Sequence, residues 1–136
     1  MLDLKMHDDW NPGNWLKEVD LQMGRLEKST AEDVQRDAIA LAPKHKPKAG
    51  SKYVPGRLKS EIDIRVSRYH KGGWFVMAQG PENYSHFYAS FVELGTHAKK
   101  TDKQTHEMPE QPYLRPALKK NKGKFLSDIK NAFKGD

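Results

Sequence analysis

Apolar and polar positions divide the chain into four patterned stretches separated by polar punctuation. From Trp15 to Leu41 the apolar residues Trp15, Leu16, Val19, Met23, Leu26, Val34, Ala38 and Leu41 recur mostly at helical spacing, which predicts an amphipathic helix. Asn11 to Asn14 (NPGN) reads as a turn, with Asn14 placed to cap that helix. Thr30-x-x-Asp33 imitates a capping box, so a break or kink near 29–30 is expected. Pro43 ends the helix, because the residue before a proline is pushed towards an extended conformation.

The next stretch changes period. Ile62, Ile64 and Val66 take one side, and Asp63, Arg65 and Ser67 the other, which predicts a half-buried strand opened by Gly56 to Ile62. His70 to Gly73 (HKGG) reads as a turn. Trp74 to Gly80 reads as a second strand, with Phe75 and Met77 opposite Trp74, Val76 and Ala78, so cover is expected on both faces. Strand, glycine-rich turn and strand predict an antiparallel hairpin. From Pro81 to Thr96, Phe87, Phe91 and Leu94 fit one helical stripe, and Tyr88 and Val92 a neighbouring one. Gly95 stands where a helix end favours a left-handed residue. The density of aromatic and β-branched residues keeps a strand open as the alternative. Finally, Leu114, Leu118, Phe125, Ile129 and Phe133 mark a closing helix. Pro116 suits its first turn, and Gly123 weakens its middle.

These elements predict an α+β fold: a long N-terminal helix, an antiparallel sheet as hairpin or meander, and a C-terminal helix packed on the sheet. Residues 1–136 read as a single domain. Two stretches resist assignment. Residues 44–57 are rich in proline and basic, and from Lys44 to Lys59 there are six Lys and Arg and no acid. Self-repulsion predicts a mobile loop there. Residues 97–112 form a polar loop with almost nothing to bury.

Composition adds three constraints. Only 36% of residues are hydrophobic and 31% are charged, so a lone monomer would have a thin core and self-association is expected. The chain has no cysteine, which excludes disulfides and thiolate metal sites and suggests intracellular manufacture. No run is apolar enough to span a membrane, and the mixed, acidic start does not read as a signal peptide. The net charge of +6 is uneven: residues 1–42 carry 5 Lys and Arg against 9 Asp and Glu, and residues 43–136 carry 19 against 9. Such a split describes two solvated surfaces, or head-to-tail contact between neighbouring copies.

Candidate chemistry is sparse. Glu93, flanked by Phe91, Val92 and Leu94, could be a carboxylate with a raised pKa. It could equally accept backbone N–H bonds or pair with an arginine such as Arg115. No second catalytic group stands at a meaningful spacing, and alternating Arg57, Lys59, Glu61 and Asp63 is ordinary for a solvent face. His97, Asp102 and His106 share one loop but match no zinc pattern. No catalytic residue, metal or cofactor is therefore expected. Lys44, Lys46, Lys48, Lys52, Arg57 and Lys59 are candidate contacts to phosphate or to an acidic partner. Lys119, Lys120, Lys122 and Lys124 read as the solvent side of the last helix.

Three stretches occur in order: Ala40 to Pro43 (ALAP), Gly56 to Ile62 (GRLKSEI), then Tyr88 to Thr96 (YASFVELGT) followed by Met108 to Leu118 (MPEQPYLRPAL). The set resembles the tail-completion, or head–tail joining, minor tail components of tailed bacteriophages, over roughly residues 30 to 133. Two features depart from the family pattern: Pro55 stands where the link after the first helix usually has threonine, and Lys44 to Tyr53 lengthens that link. The loop from Lys99 to Glu107 is also long.

The resemblance implies a ring-forming subunit, a homo-hexamer, in the virion tail or neck, made in the host cytoplasm during assembly. Its partners would be a head-completion or connector protein and the tail tube or tail terminator. DNA would pass the channel without specific contact. Under this resemblance Tyr88, Phe91, Val92, Glu93, Gly95, Thr96, Pro112, Leu114, Arg115 and Pro116 form a structural corner. Phe91, Val92 and Leu94 would pack under the sheet, and Glu93 would meet Arg115 of the same or a neighbouring subunit. The alternative is a small basic nucleic-acid-binding protein.

Overall fold

The computed structural model describes residues 11–44, 49–50, 56–68, 72–78, 85–96 and 108–134, with 85–88 described as backbone only. It is an α+β fold. Helix α1 (Pro12–Leu41) leads to a short helix α2 (Arg57–Glu61), then to strands β1 (Ile62–Val66) and β2 (Trp74–Ala78), and then to helices α3 (Ser85–Leu94) and α4 (Leu114–Ala132).

The start of α1 lies earlier than Asn14. Asn11 is the cap, and its side-chain oxygen accepts from the N–H groups of Gly13 (2.9 Å) and Asn14 (3.3 Å). Pro12 occupies the first turn, where its missing N–H costs nothing. The expected break near 29–30 does not occur. Ala31, Val34 and Ala38 come next as buried residues, and packing on that face holds the helix straight through the weak Ser29-Thr30 step. The first half of α1 is mostly exposed, Trp15, Leu16 and Leu21 included.

Gly56 to Ile62 does not open as a strand. Gly56 takes a left-handed conformation (φ 80°), and Arg57–Glu61 form one helical turn. Two local bonds favour the turn: Arg57 Nε to Glu61 Oε1 at 2.7 Å, and Ser60 Oγ to the Arg57 carbonyl at 2.7 Å. Leu58 anchors it in the core.

The strands pair antiparallel in the register Ile62↔Ala78, Ile64↔Val76 and Val66↔Trp74. Burial falls off along β1 from Ile62 to an exposed Val66, and Phe75 is also exposed, so the second face lacks the expected cover at its turn end. The Ser67 N–H bonds the Gly73 carbonyl. By the alternation of an antiparallel ladder, the backbone groups of Ile62, Ile64 and Val66 therefore point to the outer edge of β1, and those of Trp74, Val76 and Ala78 to the outer edge of β2. Side chains occupy the first of these edges: Gln35 Nε2 bonds the Ile62 carbonyl (2.9 Å), and Asp63 Oδ1 accepts from the Ile64 N–H (2.8 Å).

The core is small: Val34, Ala38, Ala42, Leu58, Ile62, Ala89, Val92, Tyr113 and Ala117, flanked by Ile39, Val76, Ala78, Met108 and Leu114. Helix α4 packs chiefly along α1. No helix among the described residues is long and apolar enough to cross a membrane.

Candidate functional site

The stretch 85–96 resolves into helix, and α3 ends on Gly95 (φ 69°). Helical geometry then decides which side chains face inward. Ala89, Val92 and Glu93 share one face and are buried, while Phe91 (37% exposed) and Leu94 (59% exposed) turn outward. The expectation that Phe91 and Leu94 pack under the sheet is thus corrected. Aiming Glu93 inward forces its neighbours two before and one after onto other faces.

Glu93 closes the N-terminus of α4 from outside. The N-cap residue Tyr113 offers no side-chain bond. Instead Glu93 Oε2 accepts from the N–H groups of Tyr113 (2.7 Å) and Leu114 (2.9 Å). Its Oε1 accepts from the Arg115 N–H (3.0 Å) and from Arg115 Nε (3.0 Å). Three of the four orphan donors expected at a helix start are engaged, and the negative charge sits where the helix dipole favours it. Arg115 Nη2 also donates to the Glu93 carbonyl and to Glu110 Oε2, both at 3.0 Å.

The chain path is fixed on the same corner. The Gln111 N–H bonds the Val92 carbonyl, the Thr96 N–H bonds the Met108 carbonyl, and the Thr96 hydroxyl accepts from the Met108 N–H. At Gly95 an added Cβ would stand 2.8 Å from both the Glu110 nitrogen and the Met108 oxygen. Only glycine fits that approach and that φ. Pro112 and Pro116 are half-buried beside the first turn of α4.

Burial works against the Glu93 charge, but the backbone donors of Tyr113, Leu114 and Arg115 and the Arg115 side chain outweigh it. The carboxyl is held below its ordinary value. A general acid needs the opposite, a raised pKa and a free proton. Burial, then Glu93 and Glu61, push Tyr113 up to about 12. Its hydroxyl is buried without a hydrogen-bond partner.

A second polar cluster joins α1 to α4. Asp37 (7% exposed) accepts from Asn121 Nδ2 (2.8 Å) and Lys120 Nζ (3.2 Å), and Asp33 accepts from Lys124 Nζ (2.6 Å) and Arg36 Nη1 (2.8 Å). Lys120 and Lys124, read as solvent-facing, are turned onto acids of α1. The sequence reading missed Asp37, Asn121 and Glu110. One signal was present for Asn121: it interrupts the apolar stripe of α4 between Leu118 and Phe125.

The basic candidates are dispersed. Lys44 is exposed, Arg57 pairs with Glu61, and Lys59 lies half-buried on α2. Lys46, Lys48 and Lys52 fall outside the described residues, as do the loop His97 to Glu107 with its histidines and the turn residue His70. The Tyr88 side chain is likewise outside them. No group of three or more metal-ligating side chains occurs among the described residues. No protein-family model, curated protein or solved structure matches the chain.

Proposed function

We propose that the chain is a structural subunit of a tailed-phage neck or tail. Copies would form a ring, expected to be a hexamer, that completes the tail and joins it to the head connector around a DNA passage. One observation carries this reading. The two most specific stretches of the resemblance, YASFVELGT and PYLRPAL, are bonded to each other through Glu93 and Arg115. Their residues thus serve a folded corner and need no chemistry to account for them. The small core and the exposed Leu16, Leu21, Leu94, Leu118 and Leu126 supply apolar surface for neighbours.

The nucleic-acid-binding alternative is weakened on one of its two surfaces, because Lys120 and Lys124 already face Asp37 and Asp33. Native mass measurement and negative-stain microscopy of the purified chain, alone and with a candidate head connector and tail tube, test the reading. Annular particles of defined stoichiometry are expected. A strict monomer that no tail or neck component recruits, and that shifts DNA in a salt-dependent way, would replace this reading with the alternative.

A further inference from the structure

The outer edge of β2 borders an apolar groove of about 480 Å³, lined among others by Ala31, Val34, Trp74, Val76, Leu118 and Phe125. Leu118 is 60% exposed there. The two edges of the hairpin differ. On β1, Gln35 and Asp63 engage the outward backbone groups. On β2, no strand covers the outward groups of Trp74 and Val76 among the described residues. An open strand edge beside an apolar trough accepts an extended segment: its backbone continues the ladder and every second side chain enters the trough.

The chain contains such a segment ahead of α1. Leu2, Leu4 and Met6 alternate with Asp3, Lys5 and His7, the period-two pattern of a strand with one apolar face. Charge agrees with this pairing. Residues 1–10 hold three aspartates and one lysine, whereas α4 carries Arg115, Lys119, Lys120, Lys122, Lys124 and Lys130 against Asp128 alone.

Reach decides which copy supplies the segment. Glu27 of α1 marks one end of the groove, where its carboxylate accepts from the Gly73 N–H (2.8 Å). The helix start at Pro12 is about 22 Å further along the axis at 1.5 Å per residue. Residues 7–11 span about 17 Å fully extended. A chain's own Leu2–Met6 therefore falls short of its own β2.

We infer that residues 2–6 of one copy add as a strand to the β2 edge of a neighbouring copy, with Leu2, Leu4 and Met6 in its groove. This deepens the ring reading by naming one contact between subunits, and it stands or falls separately. The absence of native cysteine makes the test direct. Full-length chains carrying Leu4→Cys are mixed with chains carrying Leu118→Cys and mildly oxidised. A mixed disulfide dimer should form about tenfold faster than with Leu21→Cys, an exposed position on α1, in place of Leu118→Cys. Separately, Leu118→Lys, at a mostly exposed site that spares the core, should raise the concentration for half-association about tenfold or more, the factor of one buried leucine. Cross-linking no faster than the Leu21→Cys control would overturn the proposal. So would a disulfide formed within single chains carrying both Leu4→Cys and Leu118→Cys at high dilution. Rings without the cross-link would keep the ring and remove the arm; the cross-link in open dimers would do the reverse.

Discussion

Glu93 and Asp37 are both buried carboxylates, 8% and 7% exposed, and they are held in different ways. Glu93 meets three backbone N–H groups and one guanidinium, donors fixed by the path of the chain itself. Asp37 meets the ends of side chains: Asn121 and Lys120 from α4, and Arg36 beside it. The first arrangement determines where the chain goes. The second determines how two helices already formed lie against each other. Removing a partner from the first should disturb topology, and from the second only alignment.

The largest effect should come from Glu93→Ala. It strips α4 of its external cap and leaves Arg115 without its buried partner, at a cost of about 3–5 kcal/mol. Thermal unfolding should fall by roughly 10 °C or more. Glu93→Gln, which keeps acceptor capacity, should recover part of that loss. Equal midpoints for wild type and Glu93→Ala would erase the distinction between the two carboxylates. Gly95→Ala should come next at about 2–3 kcal/mol, since it adds strain at φ 69° and a backbone clash. Urea unfolding that showed no change there would mean the corner relaxes freely.

Asn121→Ala should cost less, about 1–2 kcal/mol, because one side-chain donor is lost from a carboxylate that keeps Lys120. Acid should act on both regions in the same direction. Asn121 and then Lys120 lower Asp37, Lys124 lowers Asp33, and the corner donors lower Glu93 despite its burial. The unfolded chain thus binds more protons than the folded one at mildly acid pH. Stability is fully present above the ordinary values of 3.8 and 4.5 and is lost as pH falls through the lower folded values. Denaturant titrations from pH 7 to pH 3 should show wild type losing more stability than Glu93→Gln. The smallest effect belongs to Tyr113→Phe. It removes a buried hydroxyl that has no partner, so stability should hold or rise by up to about 1 kcal/mol. A marked loss would reveal a bond to that hydroxyl.

Sequence legibility followed the same division. The helices and the hairpin were readable because their periods are local, and Glu93 with Arg115 was readable because both lie in short dense motifs. The boundaries that shifted are places where local chemistry competes. Asn11 outranks Asn14 because a proline comes directly after it. Ser29-Thr30 yields to the buried Ala31 and Val34. Arg57–Glu61 closes a turn inside an apparently alternating stretch. The orientation of Phe91 and Leu94 was not readable, because it depends on where the start of α4 sits in space. Asp37 and Asn121 are separated by 84 positions, and no local period links them.

The two edges of the hairpin also have a consequence for solubility. A sheet with both edges open can recruit copy after copy and grow into a fibril, because each added strand presents a new edge. Here Gln35 and Asp63 act as stoppers on β1, so any recruitment through this sheet is one-sided. One-sided growth terminates unless the added strand offers an edge of its own. Replacing Gln35 and Asp63 together with apolar residues would remove the stopper, and slow aggregation with a rising thioflavin signal is the outcome to watch for.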